Sequence, residues 1–474
     1  MTTSARCGRR AAVVPLLAAL ATTAVLMSLA ACAVATPAEA PARSNTASAN
    51  ERPRPRAVGV PFEGTPGPCN AITDVAGVQV GHCTLIDGEG PRAVRTGVTA
   101  VLPRGTANAS AVFGGWHALN GNGEMTGTTW LEEGGVLEGP VMLTNTHSVG
   151  VVRDAVTRWA LAHGKTDPSG EYSWSLPVVA ETWDGRLNDI NGFHVTTEHA
   201  FAALDNARGG PVAEGNVGGG TGMVCHGWKG GIGTSSRRLT ASDGGFTVGV
   251  LAQCNYGRRD LLRVAGIPVG QQLVDAARRE KSRDDGSIIV VIATDAPLLP
   301  HQLRRVAQRA TLGLARMGST SGDGSGDLFV AFSVANAEAA YAAARVDVTM
   351  LPNGMLDPVF DATVQATEEA IVNALFAART MTGRNGNTVE ELPIDRVLSI
   401  LREHGRLVAA LSVGRSSSVP TARAAASSPY HLPRQPAAFP APAAQPPSVP
   451  SPNPPIGRTA SMPRPRRSIR TNRS

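Results

Sequence analysis

Lysine is nearly missing from this chain: of 44 basic residues only Lys165, Lys229 and Lys281 are lysines, and the rest are arginine. Arginine does not give up its proton near neutrality, so a reaction that needs an amine base must find it elsewhere. Histidine and cysteine are sparse in pattern as well. No H-x-x-x-H or C-x-x-C spacing suited to zinc or redox work occurs, and no nucleotide-binding glycine fingerprint or G-x-S-x-G elbow stands out. The residues therefore offer no metal and no organic cofactor site. The four cysteines beyond the first segment, Cys69, Cys83, Cys225 and Cys254, are widely spaced; Cys69 with Cys83 reads either as a bridge or as two buried free thiols. Long apolar runs are confined to one place. Ala11 to Leu29 is small and apolar behind Arg6, Arg9 and Arg10, which predicts an export signal over 1–31. The alternative is a membrane anchor, since the run is near the shortest helix that crosses a bilayer.

With 474 residues, 42% of them apolar, the chain can build one large domain or two ordinary ones. The formal charge of +6 argues for nucleic acid only if it gathers on a folded surface, and many of the arginines lie in flanks with no apolar period. A specific nucleic-acid partner is not expected. Residues 32–59 read as a disordered tether, and 413–474, rich in proline and closing on Arg464, Arg466, Arg467 and Arg470, as a disordered tail. The folded domain is expected over 60–412.

Within that domain glycine-rich loops separate β-branched runs from a few helices. Val78 to Val80, Gly97 to Pro103, Phe246 to Asn255 and Leu328 to Val334 read as strands, and Ser287 to Ala293 most of all, five of its seven residues being Ile or Val. Val151 to Ala162 reads as a helix capped by Ser148, with Val151, Ala155, Trp159 and Leu161 on its inner side. Pro300 opens another whose Leu303, Val306, Ala307, Ala310 and Leu314 recur at helical spacing. Phe360 to Ala378 and Ile394 to Glu403 also read as helices. Glycine clusters such as Gly218-Gly219-Gly220 and Gly230-Gly231-x-Gly233 read as plain loops or as places where the backbone turns sharply or passes close to a ligand. The mixed order predicts an α/β fold of sheets covered by helices.

Several long phrases recur through the domain: Asn70-Ala-Ile-Thr-Asp-Val75, Gly77-Val-Gln-Val-Gly-His82, Gly121-Asn-Gly-Glu-Met-Thr-Gly127, Thr144-Asn-Thr-His-Ser-Val-Gly150, Gly215-Asn-Val-Gly-Gly-Gly-Thr-Gly222, Thr234-Ser-Ser-Arg237 and Ala293-Thr-Asp-Ala-Pro-Leu-Leu-Pro-His-Gln302. Together they resemble the family of L-aminopeptidase/D-Ala-esterase/amidase enzymes and β-peptidyl aminopeptidases, from about Val60 to Arg406. The resemblance implies a four-layer αββα sandwich of the N-terminal-nucleophile kind. Such a protein is made as one inactive chain that cuts itself ahead of a serine or threonine, here at Gly286-Ser287. It also implies a compact homo-oligomer of two-chain units. Separately, Leu29-Ala30-Ala31-Cys32 resembles the bacterial lipoprotein cleavage signal. That likeness implies a lipid on Cys32, an exported protein and a membrane attachment through the lipid.

The chemistry fits the junction. A hydroxyl is a poor nucleophile alone, whereas a serine at a free amino terminus carries its own base, an amine that titrates at about 7.7–8.0 when unperturbed. Glycine ahead of the serine lets the cleavable unit turn sharply. By their phrases, the resemblance implies that Asn255 binds the oxyanion and that Ser325 and Asp327 hold the amine and hydroxyl of Ser287 in register. Trp183 stands where the family often has a tyrosine that assists the oxyanion, and offers only an indole N–H. Glu181 reads either as the receiver of a substrate's ammonium group or as a solvated loop acid. Structural roles are expected for His82, His147, His226 and His301, and Lys229 is expected to contact substrate or face solvent. The function implied is hydrolysis of small peptides, amides or esters with a free amino end. Against it stand an amine acyltransferase of the ornithine acetyltransferase kind, which carries threonine at the new terminus, and a non-catalytic envelope binding protein.

Overall fold

The computed structural model describes residues 52–408 except 109, 165–174, 274–285, 338 and 341–343. The signal, Cys32, most of the tether and the tail lie outside the described residues. Along the chain come strands β1 (Gln79–Asp87), β2 (Val94–Leu102) and β3 (Val112–Gly121), helix α1 (Thr128–Gly134), and strands β4 (Val136–Leu137) and β5 (Val141–Asn145). Helix α2 (Val149–Ala162), strand β6 (Val178–Thr182) and helix α3 (Thr197–Asp205) follow. A small hairpin, β7 (Val224–Cys225) and β8 (Trp228–Lys229), leads to β9 (Gly231–Arg238), β10 (Thr247–Asn255) and α4 (Val269–Leu273). Then come β11 (Ser287–Thr294), α5 (Pro300–Arg316), β12 (Gly326–Ser333), α6 (Asp357–Ala377) and α7 (Ile394–Glu403).

Two sheets result, one in the order β1-β2-β5-β6 and one in the order β4-β3-β12-β11-β10-β9. Each contains one parallel pair whose strands are joined through a helix: β5 and β6 through α2, β11 and β12 through α5. Three apolar clusters fill the spaces between layers. One lies between α2, α3 and the four-stranded sheet and includes Met142, Val152, Trp159 and Leu204. A second joins the two sheets, with Val101, Leu143, Ala180, Leu251, Ile289, Val291 and Val330. The third lies between the six-stranded sheet and helices α5, α6 and α7, with Ile288, Val290, Leu303, Val306, Ile371 and Val397. The protein is thus a four-layer αββα sandwich of α/β class, as the phrases imply.

Strand β11 explains its own sequence. Ile288, Val290 and Ile292 face the helices, while Ile289, Val291 and Ala293 face the other sheet. A strand covered on both faces has no use for polar alternation, hence the unbroken Ile/Val run. By the same two-residue period Ser287 belongs to the side that faces the other sheet.

Several expectations need correction. The stretch read as tether up to residue 59 is folded from Arg52 onward: Arg54 pairs with Glu214 at 2.8 Å and Arg56 with Glu369 at 2.6 Å, and both carboxylates are nearly or wholly buried. A buried carboxylate needs a cation beside it, so these arginines belong to the domain and not to a solvated linker. The inner face of α2 is Val152, Ala155, Val156 and Trp159; Leu161 is exposed, and the Ser148 side chain makes no cap bond. Gly231 and Gly233, read as a loop, lie in β9, where a Cβ on Gly233 would stand 2.0 Å from the Ala370 carbonyl of α6. Cys69 and Cys83 are free thiols.

Candidate active site

Four strand ends meet at one corner of the six-stranded sheet. The antiparallel register of β10 with β11 sets Asn255 opposite Ser287, and the parallel register of β11 with β12 sets Ile288 opposite Asp327. On the far side of β12, Gly326 pairs with Gly121 of β3, with a register irregularity between Asp327 and Leu328. Ser287, Asn255, Ser325 and Asp327 are all buried. The residues singled out along the sequence are therefore brought together, from positions far apart in the chain, by strand pairing.

The Ser287 hydroxyl oxygen accepts a hydrogen bond from the Gly326 N–H at 3.1 Å. Ser325 Oγ donates to Asp327 Oδ2 at 2.9 Å and in turn accepts from Asn120 Nδ2 at 3.1 Å. Asn120 was not singled out from the sequence; its place next to the Gly121-Asn-Gly phrase is the only signal that could have found it. Asn255 is fixed at both ends of its amide: Oδ1 accepts from the Val224 N–H at 2.8 Å and Nδ2 donates to the Trp183 carbonyl at 2.9 Å.

Gly286 is needed for reasons other than a sharp turn. Its φ is not among the positive values, but a Cβ there would stand 2.1 Å from the Asn255 carbonyl oxygen and 2.7 Å from the Tyr256 Cα. Close approach of two backbones, and not a left-handed conformation, excludes a side chain ahead of Ser287.

Glu181 is neither in a loop nor solvated. It lies in β6, 3% exposed. Its Oε1 accepts from the Glu124 N–H at 3.0 Å, and its Oε2 accepts from the Thr146 hydroxyl. Burial pushes its carboxyl above the usual range, and the bonds from Thr146 and Glu124 offset part of that. Among the described residues no arginine or lysine forms an ion pair with it. The carboxylate borders the serine: the point where a Cβ on Gly123 would lie is 3.4 Å from Glu181 Oε1 and 3.1 Å from the Cα of Gly326, the residue that holds Ser287 Oγ.

Trp183 joins the site through its backbone. Its carbonyl holds Asn255, whereas its ring is 52% exposed and lies along its own loop, with Nε1 2.9 Å from where a Cβ on Gly185 would be. On the Glu181 side, the ring of His147 stacks on the exposed Phe193 at 5.5 Å between centroids.

Among the described residues no histidine bonds to Ser287. His82 Nδ1 is 2.9 Å from Thr99 Oγ1, and burial pushes its pKa down to about 4. The ring of His226 meets the Arg258 carbonyl, and His301 is exposed on α5. Lys229 neither faces solvent nor opens on the site. It is fully buried, with Nζ 2.9 Å from the Met223 carbonyl, 2.8 Å from that of Gly230 and 3.4 Å from that of Gly220. Among the described residues there is no group of three or more His, Cys, Asp or Glu side chains placed to hold a metal ion, and no helix long and apolar enough to cross a membrane.

A serine opening the central strand of an αββα sandwich, with an amide and an acid around it and no imidazole, marks the class: an N-terminal-nucleophile hydrolase. Comparison with known proteins narrows the class. The sequence model of peptidase family S58 matches residues 70–389. The β-peptidyl aminopeptidase BapA of Sphingosinicella microcystinivorans is 54% identical over 383 residues, covering 77% of this chain and 96% of the relative. The solved L-aminopeptidase D-Ala-esterase/amidase of Ochrobactrum anthropi, described as a variant of the Ntn hydrolase fold, superposes with a TM-score of 0.71 at 48% identity, covering 75% of this chain and all of that one. A Burkholderia sp. β-aminopeptidase gives 0.68 at 51% identity, over 74% and 99%. The chain belongs to peptidase family S58 and is a serine aminopeptidase/amidase.

Proposed function

We propose that the chain activates itself by cutting at Gly286-Ser287 and then, through Ser287, removes amino-terminal residues from small peptides, amides or esters. The observation that carries this reading is the environment of Ser287: the first residue of a doubly covered strand, behind an obligatory glycine, with its hydroxyl held by the Gly326 N–H. In the first step Ser287 Oγ attacks the Gly286 carbonyl carbon and the peptide shifts to an ester. Water then hydrolyses the ester, leaving a Gly286 carboxylate and a free amine on Ser287. In turnover that amine takes the hydroxyl proton as Oγ attacks the substrate carbonyl and passes it to the leaving amine or alcohol, and water then hydrolyses the acyl ester on Oγ, which frees the product and restores Ser287. Asn255 Nδ2, with one hydrogen engaged by Trp183, offers the other to the oxyanion. The Ser325–Asp327 pair, one strand away, holds the new amine in register.

Glu181 receives the substrate's ammonium. Its burial with no arginine or lysine paired to it among the described residues supports this, because a cation from outside completes the pair. Such a requirement makes the enzyme an aminopeptidase and not an internal protease. The names of two relatives, both β-peptidyl aminopeptidases, support substrates whose first residue is a β-amino acid. We further propose export, with lipid on Cys32 holding the mature protein at the outer face of the cell membrane, and assembly of several two-chain units.

The test is the amino-terminal sequence and intact mass of purified active protein. A second terminus reading Ser287-Ile288-Ile289 is expected; full activity in an uncut chain would overturn the mechanism. Detergent partitioning with mass analysis of the mature first peptide decides the lipid.

A further inference from the structure

Lys229 is a fully buried cation near the site that the hydrolytic mechanism leaves unused. It ends the hairpin β7–β8, directly across the register from Val224. Its three acceptors are all backbone carbonyls on the two sides of that hairpin, those of Gly220 and Met223 ahead of β7 and of Gly230 after β8. An ammonium has three N–H bonds and a neutral amine only two, so the cage matches the charged form in number.

One of those carbonyls matters beyond the loop. The Met223 C=O and the Val224 N–H are the two ends of a single peptide group. Lys229 Nζ bonds to its oxygen at 2.9 Å, and its N–H bonds to Asn255 Oδ1 at 2.8 Å. The Asn255 amide then continues through Nδ2. A buried charge thus stands at the head of two amides in series, each polarising the next.

We infer that Lys229 is a positioning residue for the oxyanion: through the Met223–Val224 peptide it orients and polarises the Asn255 amide, making Nδ2 a stronger donor to the negative charge formed on the substrate. The inference rests on the reading of Asn255 as the oxyanion donor. Burial pushes the Lys229 ammonium down to about 7, with the Cys225 thiol the only titratable group credited with raising it.

The experiment compares two ligands of the matured enzyme that share an amino end and side chain. An amino aldehyde adds Ser287 Oγ at its carbonyl carbon; the hydroxyl proton passes to the α-amine and the former carbonyl oxygen carries the charge. The corresponding amino alcohol forms no oxyanion. Lys229→Met is expected to weaken the aldehyde about tenfold and leave the alcohol unchanged. Equal losses for both ligands mean that Lys229 only stitches the loop, and overturn the inference.

Asn255→Ala separates the two layers of the argument. It should weaken the aldehyde alone, by about a hundredfold. If it does not, the oxyanion reading fails; if it does while Lys229→Met leaves the ratio intact, only the role of Lys229 fails. Should Lys229→Met not fold or mature, the wild-type protein still answers. With three lysines in the chain, ¹⁵Nζ-lysine labelling gives three side-chain signals, assigned by Lys165→Arg and Lys281→Arg. The Lys229 signal should move with the aldehyde and stay with the alcohol. A signal unmoved by the aldehyde overturns the inference.

Discussion

The two sheets of the sandwich are built alike and used differently. Each holds one parallel pair bridged by a helix, and each is covered by helices on its outer face. Yet the hydroxyl, the amide and the acid all come from the six-stranded sheet, at the ends of β10, β11 and β12, whereas the four-stranded sheet contributes Glu181 on β6 and Thr146 just after β5. Bond-breaking groups need fixed mutual geometry, which neighbouring strands of one sheet supply directly. Glu181, proposed to receive the substrate's amine, can stand across the gap. Gln253 ties the two layers at this corner, its Nε2 donating to the Thr144 carbonyl at 3.0 Å and to Thr182 Oγ1 at 2.9 Å.

This division of labour can be broken one sheet at a time. The largest effect is expected from Ser287→Ala, which removes the hydroxyl proposed for both cutting and turnover: a single uncut band on a denaturing gel and no measurable hydrolysis. Residual cleavage at this junction in the alanine protein would show that another group performs it. Next comes Asn255→Ala, introduced into protein whose maturation has been confirmed, with kcat falling by about a hundredfold or more on a small amide. Unchanged kinetics would remove Asn255 from the reaction.

On the opposite sheet the loss should fall on binding. Glu181→Gln preserves shape but not charge, so KM for a substrate with a free amine should rise about ten- to hundredfold, with a smaller change in kcat. A pure kcat defect would place Glu181 with the bond-breaking groups and erase the contrast between the sheets.

The smallest effect is one of stability. His82 on β1 has a pKa of about 4, below the ordinary 6.5, because burial disfavours its charged form. The unfolded chain therefore takes up this proton first as pH falls. The neutral ring's contribution is fully present above about 6.5 and is lost progressively towards 4, up to about 3 kcal/mol. His82→Gln should flatten the fall in Tm between pH 7 and 4; an unaltered pH profile would mean that other groups carry the acid sensitivity.

What the sequence determined by itself was the family and the strand that opens on Ser287. The Ile/Val run after Gly286-Ser287 encodes a doubly buried strand locally, since both faces demand apolar side chains, and α5, β12, α6 and α7 were legible from their periods. Tertiary structure alone decided the rest. Strand β9 reads as a loop because Gly231, Gly233, Thr234 and Ser235 are small or polar; it is a strand because α6 lies against Gly233 and because Thr234 and Ser235 donate to the Val250 and Ala366 carbonyls, both at 2.6 Å. Arg54 and Arg56 look like linker charges until Glu214 and Glu369, far along the chain, are buried beside them. The burial of Glu181, whose partners are Glu124 and Thr146, has the same origin. Partners that satisfy a buried polar group lie tens or hundreds of residues away, so no local window reveals whether a polar side chain meets water or the interior.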